Sequence, residues 1–184
     1  IKFREPIPAL QSTHLHEQID QKSDGALLHF RWASKGLDIK ESNSHPFTYG
    51  DTTFIHNGSF APFDVLEPYI AEKYKSLFEG ETDSERYFYF LLTEIEKHGF
   101  IKGIKSALTF IKLKISHSSA NMMIMNHDYF VTACRYNQDR IPAAFAEDID
   151  YYELRYKKVP SGVIVASSGW EQGDWTLIPN DSLL

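Results

Sequence analysis

Four short polar clusters between His29 and Glu85 decide how this chain is interpreted. They are residues 29–36 (His-Phe-Arg-Trp-Ala-Ser-Lys-Gly), 43–47 (Asn-Ser-His-Pro-Phe), 56–58 (His-Asn-Gly) and 82–85 (Thr-Asp-Ser-Glu). Most of them adjoin an apolar segment with the periodicity of a strand or a helix. Each cluster alone is weak evidence, but their order indicates that they belong to one site.

The composition is that of an ordinary globular domain. The chain has 184 residues, of which 42% are hydrophobic, so one domain spanning residues 1–184 accounts for its length. The net charge of −6 argues against nucleic acid as a partner, because phosphate binding needs a concentrated basic face. No apolar run reaches the length of a membrane span. The single cysteine, Cys134, excludes an intrachain disulfide, and this favours a reducing, cytoplasmic setting.

The segment Ala26–Trp32 is predicted to be a strand with Leu28, Phe30 and Trp32 on one face. Arg31 then lies on the other face, where its charge needs a partner. A structural salt bridge is one interpretation. The other is a carboxylate clamp, because a planar guanidinium binds a carboxylate through two parallel hydrogen bonds.

A short strand over Thr52–Ile55 is predicted to run into His56-Asn57-Gly58. Asn-Gly is the commonest signature of a tight hairpin turn. No strand returns directly after it, however, so an oxyanion hole is the alternative, in which the Asn57 amide and the Gly58 N–H both donate.

Helices are predicted from about Asp64 to Phe78 and again behind Thr82. Thr82 and Glu85 form a capping box, which leaves the Asp83 carboxylate without a capping task. Asp83 either complements the helix dipole or binds a cationic group. Gly99 is predicted to end the helix behind Thr82. A further helix over Lys102–Ile115 precedes C-terminal strands. Met122–Met125 and Tyr129–Tyr136 are predicted to form a hairpin around Asn126-His127-Asp128. Tyr151–Lys157 and Gly162–Ser167 are two more predicted strands, followed by a loop and tail from Trp170 to Leu184.

In this order, the four clusters resemble the class II glutamine amidotransferases, a branch of the N-terminal-nucleophile hydrolases. Stand-alone members similar to the ergothioneine-pathway and glutathione-degradation amidohydrolases match best, and Pro8, Val165-Ala166-Ser167 and Trp175 fit that branch. The resemblance implies an α+β, four-layer αββα fold with two stacked antiparallel sheets. It also implies cleavage of the side-chain amide of glutamine or a γ-glutamyl compound to glutamate plus ammonia or amine, with no cofactor or metal.

The resemblance assigns roles to residues of this chain. Arg31 would grip the α-carboxylate of the substrate, Asp83 its α-ammonium group, and Asn57 and Gly58 would form the oxyanion hole. Ser34, where the family usually has threonine, and His45 would line the pocket. These assignments suit the substrate, because a free amino acid end carries one charge of each sign.

The family attacks with a cysteine at the mature N-terminus, but this chain begins at Ile1, and its first strand is expected to be missing. Cys134 lies in a predicted strand away from the clusters and is expected to be inert. Either an upstream segment supplies the cysteine, which we favour, or the chain is an inactive relative that binds glutamine-like ligands. Ser168 also departs from the family, where an acidic residue is expected. With no synthase domain attached, an ammonia-using partner would be separate, and a homo-oligomer stays open.

Overall fold

The computed structural model describes residues 1–32, 36–145, 147–148, 150–167 and 170–184. Local sequence signals position its two long helices. The predicted helix behind Thr82 is confirmed as α3 (Asp83–His98), and the Thr82 side chain accepts a hydrogen bond from the Glu85 N–H at 3.2 Å. Gly99, with φ of 83°, separates it from α4 (Phe100–Lys114). The left-handed conformation favours glycine there, and this confirms its predicted role as a stop.

Only half of the predicted capping box forms. The Glu85 carboxylate accepts hydrogen bonds from the N–H groups of Glu79 and Gly80, at 2.8 and 3.0 Å, and does not reach back to Thr82. Arg86 donates to the Gly80 carbonyl oxygen at 2.7 Å. Buried backbone groups need partners, and these bonds fix the loop that leads into α3.

The N-terminal half of the chain carries shorter helices. The helix α1 (Thr13–Ile19) begins at the Ser12 cap. The predicted helix from Asp64 to Phe78 is wrong, because a 3-10 turn at Glu67–Tyr69 and the short α2 (Glu72–Lys75) replace it. Pro68 lies in that turn, lacks an N–H and confines the helical geometry to a first turn.

The larger sheet has five strands within the described residues and is antiparallel throughout. Its spatial order is β1 (Phe47–Tyr49), β2 (Thr52–Phe60), β3 (His117–Met125), β4 (Phe130–Cys134) and β8 (Ser182–Leu183). The predicted hairpin between β3 and β4 is confirmed, and Asn126 forms its turn by accepting hydrogen bonds from the Asp128 and Tyr129 N–H groups.

The strand β2 does not end before Asn57. Asn57 pairs with Asn121 and Gly58 pairs with Ala120, and the register shifts only between Gly58 and Phe60. The predicted end of the strand at Ile55 is therefore wrong, and so is the tight-turn interpretation of Asn57-Gly58. The partner strand is supplied by residues about sixty positions later in the chain, which a local pattern does not reveal.

The smaller sheet consists, within the described residues, of β5 (Leu154–Val159), β6 (Gly162–Ser167) and β7 (Thr176–Ile178), in the order β6-β5-β7. The strands predicted over Tyr151–Lys157 and Gly162–Ser167 are confirmed as an antiparallel pair. The loop and tail predicted after Trp170 are wrong in part, because β7 and β8 each pair with an earlier strand.

The segment Ala26–Trp32 keeps its alternation without joining a sheet, so the predicted strand is wrong. Leu27, His29 and Arg31 are half-buried. Leu28, Phe30 and Trp32 on the other side are 57%, 62% and 77% exposed. Alternation with a period of two indicates an extended backbone, but a strand also needs a neighbouring strand to pair with. No strand in the described part of the chain pairs with the backbone of this segment.

One aromatic core joins the helices to the larger sheet. Phe54 of β2 packs edge-on against Tyr87 and stacks on Phe88, with ring centroids 5.3 and 5.5 Å apart. A second buried cluster of Cys134, Leu154 and Ile178 lies between the two sheets. The α+β class with two stacked antiparallel sheets is thus confirmed.

Replacing Gly58 by alanine is expected to lower the free energy of unfolding by roughly 2 kcal/mol or more. Gly58 has φ of 152°, and a Cβ there would lie 2.0 Å from the Ser119 carbonyl oxygen. The measurement is urea denaturation of the Gly58→Ala variant.

Gly162→Ala is the matched control, since Gly162 has φ of 156° and no atom within 4 Å of an added Cβ. The two glycines have nearly the same φ, so the difference between the variants mainly reports the contact with Ser119. Equal losses of stability in the two variants would contradict the close packing of β2 on β3.

Candidate active site

A cavity of about 1610 Å³ lies between the two sheets, and the four polar clusters meet on its wall. It is bordered by the 26–32 segment, the end of β2, the start of α3 and parts of β3, β5 and β6. Of the six predicted site residues, five line this cavity: Arg31, His45, Asn57, Gly58 and Asp83. Ser34, the sixth, lies outside the described residues, as does Ser168.

Hydrogen bonds hold the clusters against each other. The Asn43 side chain accepts a hydrogen bond from the Glu81 N–H at 2.9 Å and donates to the Asp38 carbonyl oxygen at 3.1 Å. Asn43 is fully buried, so both bonds are shielded from water. The cluster at 43–47 is thereby fixed to the start of α3.

Arg31 has a single hydrogen bond within the described residues, from Nη1 to the Asp38 carbonyl oxygen at 3.3 Å. No carboxylate among those residues lies within ion-pair distance of it, so the structural salt bridge is not found there. Burial lowers the pKa of Arg31, and the negative charge of Asp83 opposes that shift. A guanidinium has five N–H donors, so several are available to a ligand in the cavity.

Asp83 has a local task that the sequence did not reveal. Its Oδ2 accepts a hydrogen bond from the Phe60 N–H at 2.7 Å, and its Oδ1 accepts one from the Ser84 N–H at 2.8 Å. The expectation of an unengaged carboxylate is therefore wrong. Asp83 fastens the end of β2 to the start of α3, yet a carboxylate offers about four acceptor positions and keeps some for a cation in the cavity.

Asn57 and Gly58 lie in the part of β2 that pairs with Ala120 and Asn121 of β3. Ser119 of β3 donates from Oγ to the Asn57 carbonyl oxygen at 2.8 Å, and its own carbonyl lies against the Gly58 Cα. The Asn57 side-chain amide has no hydrogen-bond partner within the described residues. A rigid backbone beside an unengaged amide donor is the arrangement that a preorganised oxyanion hole requires.

Three histidines form an uncharged wall behind these groups. The rings of His29 and His45 are in contact, with centroids 4.0 Å apart and planes tilted by 36°, and the His29 Nε2 lies 3.1 Å from the His56 carbonyl oxygen. Since only a donor satisfies that oxygen, His29 carries its proton on Nε2. Burial lowers the pKa of His29 to about 4 and the pKa of His45 well below its usual value.

His56 is held by two hydrogen bonds. Its Nε2 donates to the Ser119 carbonyl oxygen at 3.2 Å, and its Nδ1 then accepts from the Ser84 hydroxyl at 2.9 Å. Burial lowers the pKa of His56, while the Asp83 carboxylate opposes the shift. His29 and His56 stood in the quoted clusters without a role, and the signal that could have assigned one was their place directly beside the predicted anchors.

Cys134 is excluded as the attacking group. It is fully buried in the cluster between the sheets, does not line the cavity, and burial raises the pKa of its thiol to about 11. A thiol without thiolate character is a poor nucleophile.

The described residues hold no group of three or more side chains suited to a metal ion. They also include no helix with the length and apolar character to cross a bilayer.

A family profile described as "Glutamine amidotransferases class-II" matches residues 2–144. Among curated proteins, a probable glutamine amidotransferase, DUG3, of Saccharomyces cerevisiae is 32% identical over 103 residues. A glutamine–fructose-6-phosphate aminotransferase (isomerizing) of Aliivibrio fischeri is 29% identical over 98 residues. Each alignment covers 53% of this chain, but only 29% and 15% of the respective relatives, so the chain corresponds to a minor part of either protein.

The fold is also found among solved structures. A glutamine aminotransferase class-II domain protein from Silicibacter pomeroyi superimposes with a TM-score of 0.55 at 22% identity, over 76% of this chain and 65% of that one. At this identity the likeness bears on the fold alone, and it agrees with the stacked antiparallel sheets. Since the family profile covers more than three quarters of the sequence, this chain belongs to the class-II glutamine amidotransferases.

Proposed function

We propose that this domain binds glutamine or a γ-glutamyl compound and hydrolyses its side-chain amide to glutamate and ammonia or an amine. One observation carries the proposal: a guanidinium, a carboxylate and the Asn57-Gly58 pair border the same cavity. The free amino acid end of such a substrate presents one carboxylate and one ammonium group. Arg31 and Asp83 are the matching anchors.

The anchors position the amide for attack. With the α-carboxylate on Arg31 and the α-ammonium on Asp83, the side-chain carbonyl extends toward β2. Attack by a cysteine thiolate makes a tetrahedral oxyanion, to which the Asn57 amide and the Gly58 N–H donate. The amine then leaves with a proton, and water hydrolyses the thioester to glutamate. The α-amino group of the same N-terminal cysteine would serve as the base, as the resemblance to N-terminal-nucleophile hydrolases implies.

The histidine wall supports the assignment of Arg31 and Asp83 as the two charged anchors. Neutral imidazoles add no positive charge that would compete with Arg31 for the α-carboxylate of the substrate. The cytoplasmic setting and a separate ammonia-using partner or a homo-oligomer belong to the proposal as well. The single buried thiol supports the first.

A binding or regulatory relative without catalysis is the second candidate. It is favoured by one observation, that the single cysteine of the 184 residues is buried away from the cavity. Both candidates share the anchors and differ in the chemistry. Glutamate release by the natural full-length protein supports the enzyme, and binding without release supports the relative.

Replacing Arg31 by alanine should weaken the binding of glutamine by roughly 30-fold or more, because a charge-assisted, bidentate contact is lost. Isothermal calorimetry on the 184-residue chain measures this directly. Arg4→Ala is the matched control, since Arg4 pairs with Glu79 at 3.0 Å and does not border the cavity. Equal affinity in Arg31→Ala and the unaltered chain would remove Arg31 from the site.

In the full-length protein, Asn57→Ala should lower kcat by roughly two to three orders of magnitude with little change in KM, because the amide donates mainly to the oxyanion of the transition state. Thr53→Ala is the control on the same face of β2, away from the cavity. Near-normal turnover in Asn57→Ala would contradict the oxyanion assignment.

Glutamine affinity should stay constant within about twofold between about pH 6 and pH 8. The pKa of His29 is about 4 and that of His45 is well below its usual value, so these two imidazoles carry no charge in this range. If a histidine were the true carboxylate anchor, protonation would strengthen binding as the pH falls. A rise in affinity toward pH 6 in the calorimetric titration would therefore contradict the assignment to Arg31.

A further inference from the structure

A second cleft, of about 510 Å³, lies apart from the catalytic cavity and shares none of its lining residues. It is formed by the end of α4, the first residues of β3 and the loop after β4. Three cationic side chains border it: Lys112, Arg135 and Arg140. In a chain with a net charge of −6 this concentration of positive charge is a local exception.

The acidic groups nearby do not neutralise the cleft. The Asp181 carboxylate forms ion pairs with both Lys112, at 2.8 Å, and Arg135. Arg140 donates to the Ser116 hydroxyl and has no carboxylate within ion-pair distance among the described residues. One carboxylate thus serves two cations while the third has none. Asp139 on the rim lowers the net positive charge of the cleft but forms no ion pair with any cation among the described residues.

Two buried nitrogens beside the cleft lack partners. Within the described residues, the Arg135 Nε and the His117 Nε2 have no hydrogen bond. His117 is 7% exposed, and its Nδ1 lies 2.7 Å from the Ile115 carbonyl oxygen. That oxygen fixes the proton on Nδ1, so Nε2 becomes a second donor only when the ring is protonated. Buried polar groups are normally hydrogen-bonded, so two unpartnered nitrogens beside a cationic cleft are consistent with a bound anion as their partner.

We propose that this cleft binds a doubly charged oxyanion, a phosphate group either free or on a small phosphate ester. Arginine donors in a fixed fork match the geometry of such an oxyanion. Arg140 and Arg135 bind its oxygens, and protonated His117 adds a further donor beneath them.

The pH dependence of this site has a definite sign. Burial lowers the pKa of His117, and the positive charges of Arg135 and Arg140 lower it further, whereas the hydrogen bond to the Ile115 carbonyl oxygen and the charge of Asp181 raise it. Lys112 from α4, Asp139 and Tyr136 from the loop after β4, and His56 from β2 are further charged or titratable groups around it. A bound dianion favours the imidazolium, so anion binding takes up a proton and strengthens as the pH falls.

Sulfate is the probe, because its charge is constant across the working range and any pH dependence then belongs to the protein. Calorimetry on the 184-residue chain, with ionic strength held by chloride, should show saturable one-to-one binding that tightens from about pH 8 to pH 6. Inorganic phosphate and a simple phosphate monoester, compared at one pH, then distinguish the free ion from the esterified group as the preferred ligand.

Two exposed variants with opposite expected signs carry the test. Arg140→Gln should weaken sulfate binding on the order of tenfold, because a charge-assisted donor is removed. Asp139→Asn should tighten it about threefold, because a repulsive charge is removed. Both residues are exposed, so neither change removes a side chain from the core.

Lys158→Gln, an exposed cation on β5 away from the cleft, is the control and should leave the affinity unchanged. Absence of saturable binding would overturn the proposal. An equal loss of affinity in Arg140→Gln and Lys158→Gln would overturn it too, because it would identify general charge screening as the cause.

Discussion

The close pairing of β2 with β3 is the constraint on which the rest of the structure depends. Gly58 lies so near the Ser119 carbonyl oxygen that a methyl group does not fit, and Ser119 also bonds the Asn57 carbonyl oxygen and His56. This contact makes the backbone of the His56-Asn57-Gly58 cluster part of a continuous sheet. The same cluster carries the donors that the proposed chemistry needs, so the rigidity of the site derives from the central strands of the fold.

Asp83 links this sheet to the helices. By accepting hydrogen bonds from the Phe60 and Ser84 N–H groups, it joins the end of β2 to the first turn of α3. The orientation of its carboxylate toward the cavity is thus set by backbone geometry. Arg31, in contrast, lies on a segment without sheet partners and is held by a long hydrogen bond to Asp38. The two proposed anchors therefore differ in stiffness, and we expect the guanidinium to adjust to the ligand more than the carboxylate does.

Local chemistry explains what the sequence could predict. The Thr82 cap, the Gly99 stop and the Asn126 turn each depend on residues within a few positions, and all three form as predicted. The failures involve distant partners or competing local constraints. Asn57-Gly58 has the sequence of a tight turn, but it pairs with β3, which lies about sixty residues later in the chain. The strand β8 pairs through only two residues, which are too few to show the alternation of a strand in the sequence.

The site divides in the same way. The convergence of four clusters on one cavity was predictable from their order, because each carries residue types suited to one substrate. The roles of His29 and His56 as an uncharged wall were not, because they follow from burial and from hydrogen bonds to carbonyl groups that only the folded chain brings near. The capping pattern at Thr82 likewise gave no indication that Asp83 accepts a hydrogen bond from the Phe60 N–H, because Phe60 lies on another element, β2.

In the proposed complex, the amino acid end of glutamine or a γ-glutamyl substrate lies between Arg31 and Asp83 with its side-chain carbonyl at Gly58. The most direct test is a ¹H–¹⁵N spectrum of the 184-residue chain titrated with glutamate, which has the same charged end. We expect saturable shifts concentrated at the Arg31 guanidinium and at the Gly58, Phe60 and Ser84 N–H groups. Shifts confined to other surfaces, or a spectrum unchanged by saturating glutamate, would contradict it.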